Sequence, residues 1–251
     1  MKAIYNKKSL WKICKQIYNR KKSKADAELE FWKKEIDNYI KWYKGEKTLY
    51  GFNPPSEDKK YHVQTLSHSA IITWWECYQK PKYLYDLNLN KNAFVGLKLL
   101  DIGSGPMPSA LAFDGCEVYN LDPLIGDYAK IGFPLHYYER CRFISSGAES
   151  ILLEDHFIDA VISVNAIEHV DDFFKAAIEI KRILKKNGLF RMHVHYHSKT
   201  IEEPIELNDK LFLDAFHWCN NLRKLAESDK KDMGNTQCQF GEKYVLWSNF
   251  D

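Results

Sequence analysis

The stretch "LKLLDIGSGPMPSALAF", residues 97–113, constrains this chain more than any other. An apolar run stops on Asp101, turns through Gly103 and Gly105, and is expected to restart as a helix. A strand that is apolar on both faces belongs inside a covered parallel sheet. In open parallel sheets ligands bind beyond the carboxyl ends of the strands. Glycines at such a tip bring the backbone close to a ligand where a Cβ would obstruct it. The turn therefore reads as part of a binding site.

The surrounding pattern supports that sheet. Short apolar runs at 97–101, 117–121, 141–145, 158–163, 188–196 and 243–248 read as strands, and helical stretches alternate with most of them. The clearest helix is Asp171–Lys186, with Phe174, Ile178, Ile183 and Leu184 inward and Asn187-Gly188 closing it. This alternation predicts an α/β fold with a doubly wound, mostly parallel sheet. The first ninety residues are helical instead. Ala25–Lys44 repeats its apolar residues at helical spacing before Gly45, Gly51 and Pro54-Pro55 break the chain, and a second helix spans His62–Gln79, ending before Pro81. The expected organisation is a helical arm and lid over residues 1–90 and a ligand-binding domain over 91–251.

The turn discriminates between ligands. A dinucleotide site would show G-x-G-x-x-G with a free helix N-terminus for the pyrophosphate. Here the sequence runs Gly103-Ser104-Gly105-Pro106-Met107-Pro108, without the third glycine. Asp101, two positions before Gly103, would repel a pyrophosphate but attract an ammonium group. Asp122 ends the second strand, 21 positions after Asp101, close to the ~20 expected of a ribose-binding acid. An amino acid joined to a nucleoside, as in S-adenosylmethionine, satisfies both carboxylates. Either aspartate alone would read equally well as a cap or turn residue.

The segment from Arg142 to Val194, with its Gly147-Ala148-Glu149 turn, its "FIDAVISVNAIEHV" strand and a helix running into Lys186-Asn187-Gly188, resembles the class I (seven-stranded, Rossmann-like) S-adenosylmethionine-dependent methyltransferases. That resemblance covers Leu97 to about His197. It implies that Asp101, Gly103, Ser104, Gly105 and Pro106 hold the methionine end and that Asp122 binds the ribose, with Pro123 and Leu124 flanking the adenine. Ala148, through its backbone, and Glu149 would read the adenine edge, and Asn165 would line the pocket beside the sulfonium. Gly147 stands where the family often carries an acid for the adenine amino group, and Lys186-Asn187-Gly188 replaces the usual Pro-Gly-Gly. The product would be S-adenosylhomocysteine.

For the acceptor, His169 follows the fourth strand and suits a general base; packing is its alternative. Glu168 is placed to orient it or to cap the next helix. His193, His195 and His197 share one strand face. A metal would need a third ligand that the sequence does not locate, so no metal site is assigned and His197 is taken as an acceptor contact. Tyr61, His62, His68, Trp74 and Trp75 are candidates for an opposite wall or lid, with core packing the favoured reading of the tryptophan pair; Lys59-Lys60 is a candidate for meeting an anionic substrate, a solvated pair being the commoner case. The resemblance is closest to small-molecule O-methyltransferases of bacterial surface-polysaccharide assembly, acting on sugars, nucleotide-linked sugars or phosphoramidate precursors of the capsule.

Charge raises an alternative. Residues 1–25 carry nine Lys or Arg and no acid, against a net charge of +2 for all 251 residues. Ile4, Leu10, Trp11, Ile13, Cys14, Ile17 and Tyr18 fall near one helical face of this arm, which suits an anionic partner or peripheral membrane contact through residues 1–22. The same stripe can pack on its own domain or on a second copy in a homodimer. Gripping RNA with this arm would make the chain a nucleic-acid methyltransferase. The Pro-Pro signature of base methylation is absent from Asn165-Ala166-Ile167, so a small-molecule acceptor and no nucleic acid are expected. Six scattered cysteines without a C-x-x-C pair suggest a reduced, cytoplasmic protein.

Overall fold

The computed structural model describes the backbone of residues 7–200 and 203–251, and side chains from residue 24 onward within them. The apolar stripe from Ile4 to Tyr18 and the carboxylate of Glu202 lie outside the described residues. Five strands lie parallel: β1 (Lys98–Ile102), β2 (Glu117–Leu121), β3 (Cys141–Ile144), β4 (Ile158–Val164) and β5 (Leu184–Tyr196). The chain then forms the edge strand β6 (Arg223–Ser228), a short hairpin of β7 (Lys230–Lys231) and β8 (Thr236–Gln237), and β9 (Lys243–Ser248). The main sheet runs β3-β2-β1-β4-β5-β9-β6, with β9 antiparallel to both neighbours. This is the expected doubly wound, seven-stranded, mostly parallel architecture with an N-terminal helical extension. Its edge strand β6, half-exposed and rich in charge, is not apparent from sequence patterning.

Alternation within β1 divides the core. Leu99 joins the cluster beneath the N-terminal helices, whereas Leu100 and Ile102 join the opposite one. The first layer holds α1 (Lys7–Tyr43), α2 (Leu66–Trp74) and α3 (Lys80–Asp86), together with a short α4 (Ile125–Lys130). The second holds α5 (Phe173–Ile183) and α6 (Asp209–Ala215). Among described residues no helix is long and apolar enough to cross a membrane. Cys77, Cys116, Cys141, Cys219 and Cys238 are free thiols.

Four expectations need correction. No α-helix follows the glycine turn; Pro106 and Pro108 interrupt the crossover, which holds only a 3-10 turn at Ser109–Ala112. The second helix does not stop before Pro81. A π-helical turn at Trp75–Gln79 joins α2 to α3, so the proline falls in the first turn of α3, where its missing N–H costs least. α5 buries Phe173, Ala176, Ala177, Ile180 and Ile183, leaving Phe174 and Ile178 exposed. The alanine pair permits close approach to the sheet, and this selects one of two overlapping apolar stripes. The same helix ends at Ile183, because Leu184 already pairs with Ile158. Asn187 then turns with φ 63°, and a Cβ on Gly188 would lie 2.6 Å from Leu184 Cδ1.

Candidate active site

At the carboxyl ends of β1, β2 and β4 lies a cavity of about 870 Å³. Gly103 and Gly105 form one edge, both with positive φ. A Cβ on Gly103 would stand 2.3 Å from that of Ala166, so the turn closes against the end of β4 only because position 103 has no side chain. The turn is pinned by Gly103 and Ser104 amides donating to the Leu121 carbonyl at 2.8 and 3.2 Å.

Asp122 caps the tip of β2. Its Oδ2 accepts from the Gly105 amide at 3.0 Å and its Oδ1 from the Leu124 amide at 2.9 Å. Each oxygen retains acceptor capacity toward the cavity. Burial, reinforced by Glu28, pushes its pKa up to about 7. Pro123, Leu124, Ala148 and Glu149 continue the wall. Glu149 also has structural work: its Oε1 accepts from the Asp171 and Asp172 amides at 2.7 and 3.3 Å, next to the start of α5.

Asp101 is placed differently from the expectation. It is fully buried and absent from the cavity wall; Tyr83 donates to its Oδ1 at 3.5 Å, and its Oδ2 has no partner. Burial holds its pKa well above the ordinary carboxylate value. Ser104 and Pro106 are likewise buried behind the turn, outside the wall. Asn165 does line the cavity; at φ 51° its amide donates to the His193 carbonyl at 2.8 Å, and its Oδ1 lies 2.8 Å from His193 Nδ1.

His169 faces the cavity with Nε2 3.1 Å from Glu203 Oε1, and both residues line the wall. Burial alone would lower the His169 pKa; Glu203 and Glu168 outweigh it and hold the pKa above the ordinary value. Glu168 is fully buried, and desolvation raises it to about 7. Its Oε1 accepts from the His195 amide at 3.3 Å. It neither hydrogen-bonds the His169 ring nor caps α5, whose N-cap is Asp172, accepting from Lys175 at 3.0 Å. His197 is also displaced from its expected role as an acceptor contact. It is buried behind Glu203, with Nε2 3.2 Å from Glu203 Oε2, and does not line the cavity.

The remaining wall comes from α1. Lys24, Ala25, Glu28, Phe31 and Trp32 line the cavity. Lys24 donates to the His169 carbonyl and lies 3.5 Å from Asp171 Oδ1, while Tyr128 donates to Glu28 at 2.9 Å. Trp74 and Trp75 are core residues, the favoured reading of that pair, whereas Tyr61 is exposed and neither His62 nor His68 reaches the cavity. Lys59 and Lys60 are also outside it; Lys60 pairs with Glu57 at 2.5 Å. Glu203 and Glu28 are the charged contributors of most consequence among the lining residues that sequence reasoning missed, which also include Lys24, Trp32 and Asp171. Helical spacing put Trp32 on the inward face of α1, and Glu28 four positions earlier shares that face.

S-adenosylmethionine fits this cavity by three observations. A carboxylate with spare acceptor capacity, Asp122, stands at the tip of β2 on the cavity wall. The glycine turn presents backbone where a side chain would collide. Among the described lining residues, five carboxylates (Glu28, Asp122, Glu149, Asp171 and Glu203) stand against a single lysine, an electrostatic surrounding suited to a cationic sulfonium.

Comparison with known proteins agrees with this geometry. Residues 100–192 match the methyltransferase domain family. The chain is 27% identical over 157 residues to the uncharacterised methyltransferase YcgJ of Bacillus subtilis, covering 61% of this chain and 58% of that protein. It is 25% identical over 190 residues to a sterol 24-C-methyltransferase of Gibberella zeae, covering 71% of this chain and 47% of that protein. The chain thus spans about half the length of the curated relatives it matches. The crystal structure of Bacillus subtilis YcgJ superposes with a TM-score of 0.50 at 16% identity, over 68% of this chain and 97% of that one. This chain has the fold of the class I S-adenosylmethionine-dependent methyltransferases, and that fold, with the methyltransferase-domain match over residues 100–192, implies S-adenosylmethionine as its cofactor.

Proposed function

We propose that the chain is an O-methyltransferase acting on a hydroxyl of a small polar metabolite, with a sugar as the favoured acceptor. The observation that carries this reading is the His169–Glu203 pair at 3.1 Å on the wall of the same cavity as Asp122. An alcohol needs a base when it attacks, and an imidazole oriented by a carboxylate is a competent one. The bound cofactor supplies an electrophilic methyl group on a sulfonium. Asp122 orients the ribose, Asn165 and Ala166 shape the end of β4, and His169, its Nε2–H donating to Glu203, accepts the hydroxyl proton at Nδ1. Lys24 and the α1 residues screen the site from water.

Charge bears on the acceptor. Lys24 is the only Lys or Arg among the described lining residues, and it already engages the His169 carbonyl and Asp171. A wall this acidic disfavours phosphate or phosphoramidate oxygens and suits a neutral polyol. The same acidity favours a second reading, an amino group on such a metabolite. Labelled cofactor offered to free sugars, nucleotide-linked sugars, amino sugars and phosphoramidates tests both. Transfer to a hydroxyl supports the proposal, transfer to an amine supports the second reading, and transfer to RNA alone overturns both.

A further inference from the structure

β5 ends in three alternating histidines, and the fold adds the carboxylate that the sequence does not locate. Donor atoms of His195, His197 and Glu203 all lie within 4.8 Å of one another. Nδ1 of His197 is 2.7 Å from the Ser198 carbonyl. A carbonyl only accepts, so Nδ1 carries the proton and the Nε2 lone pair is free. That lone pair sits 3.2 Å from Glu203 Oε2, with the His197 side chain only 3% exposed and its Nε2 without a hydrogen bond. A buried acceptor and a partly buried carboxylate at this distance repel unless a proton or a metal cation lies between them. His195 Nε2 is also buried without a hydrogen bond, and Glu242 Oε2 is 3.5 Å away. The ring of His195 is held by stacking on Tyr244, centroid to centroid 4.4 Å.

We propose that His195, His197 and Glu203 bind one divalent first-row transition ion of the iron-to-zinc series. Two imidazoles and a carboxylate suit these ions rather than magnesium or calcium, which prefer all-oxygen shells. Donors around such an ion stand ~3.3 Å apart in a tetrahedral shell, close to the His197–Glu203 separation. The Ser198 carbonyl acts on His197 as outer-shell partners act on ligating histidines, fixing the tautomer. Three protein ligands leave a coordination position open. Because the other oxygen of Glu203 holds His169 in the cavity wall, the ion adjoins the end of the cavity where His169 stands. There it would polarise an acceptor oxygen, a role that rests on the methyltransferase reading; the existence of the site does not.

The test uses the full chain, stripped with chelator and titrated with Co²⁺, read by visible absorption and equilibrium dialysis. The expected result is uptake of about one equivalent, with affinity reduced roughly 10- to 100-fold in His197→Gln and in Glu203→Gln, and unchanged in His217→Gln on the surface. X-ray absorption of the Zn²⁺-loaded wild type should show two imidazoles and a carboxylate oxygen, and it decides the matter if a variant fails to fold. Three results overturn the proposal: negligible uptake by folded wild type, as a proton shared between His197 and Glu203 would give; affinity unchanged in both variants; or a shell lacking two imidazoles. Calorimetry with S-adenosylmethionine is run in parallel. Cofactor binding without Co²⁺ uptake defeats the metal site alone, and Co²⁺ uptake without cofactor binding defeats the methyltransferase reading alone.

Discussion

The Glu203 carboxylate meets the His169 ring at 3.1 Å although the two residues belong to different loops, one after β4 and the other after β5. His169 therefore has a defined orientation in the cavity wall. Replacing it with Gln should lower kcat by about 10²–10⁴-fold, the usual contribution of a positioned base. Affinity for S-adenosylmethionine should stay near wild type. Steady-state kinetics with calorimetry check this; an unchanged kcat would remove His169 from the chemistry.

Asp122 should control cofactor binding. Asp122→Ala should weaken S-adenosylmethionine binding by roughly 10- to 100-fold, equivalent to the ~1.5–3 kcal/mol of a hydrogen bond to a charged group. Calorimetry reads the loss directly. Affinity equal to wild type would refute the ribose role.

The same carboxylate predicts a pH effect. Its pKa is raised from 3.8 to about 7 in the folded protein, so the native state holds a proton that the unfolded chain releases across that window. Stability of the unliganded protein should decline as pH rises from about 4 to 7, because folded protein binds more protons there. Cofactor affinity should rise over the same range as Asp122 becomes a full acceptor. Glu28→Gln removes a neighbouring negative charge and should move the affinity midpoint to lower pH. Calorimetry across pH checks the direction.

Gly103→Ala places a methyl 2.3 Å from the Ala166 Cβ at a φ of 70°. The clash and the left-handed backbone together should cost about 2–4 kcal/mol. Thermal denaturation should fall by roughly 2–4 °C per kcal/mol, with cofactor binding lost. A wild-type Tm would mean that the turn relaxes freely.

Arg191 is a buried structural charge. It donates to the Leu87, Asn88 and Phe250 carbonyls at 2.9, 3.2 and 2.9 Å and to Ser248 Oγ at 3.0 Å. Arg191→Leu strands three carbonyls and should destabilise the chain by about 3–5 kcal/mol. Urea denaturation measures it, and a shift below 1 kcal/mol would contradict this accounting.

What could be read from sequence was local. Strands β1 to β4 announce themselves as apolar runs, and Asp122 stands where the spacing from Asp101 puts it. Two kinds of feature escaped. One arises from competition between equivalent patterns: α5 offers two apolar stripes, and only packing against the sheet chooses Phe173 over Phe174. The other arises from contacts between distant loops. Nothing near Glu203 in the chain hints that it will stand between His169 and His197, and Asp101 is buried against Tyr83 of α3 instead of on the cavity wall. Pro81 misled because the π turn that accommodates it has no sequence signature.

α1 runs 37 residues without a break, roughly 55 Å at 1.5 Å per residue. Its C-terminal portion is rooted in the core through Tyr39, Trp42 and Tyr43, while Lys24 to Trp32 roof the cavity. The helix thus joins the core to one wall of the cavity. A substitution that shifts its anchorage in the core would therefore displace one wall of the cavity, because an unbroken helix carries the shift along its length.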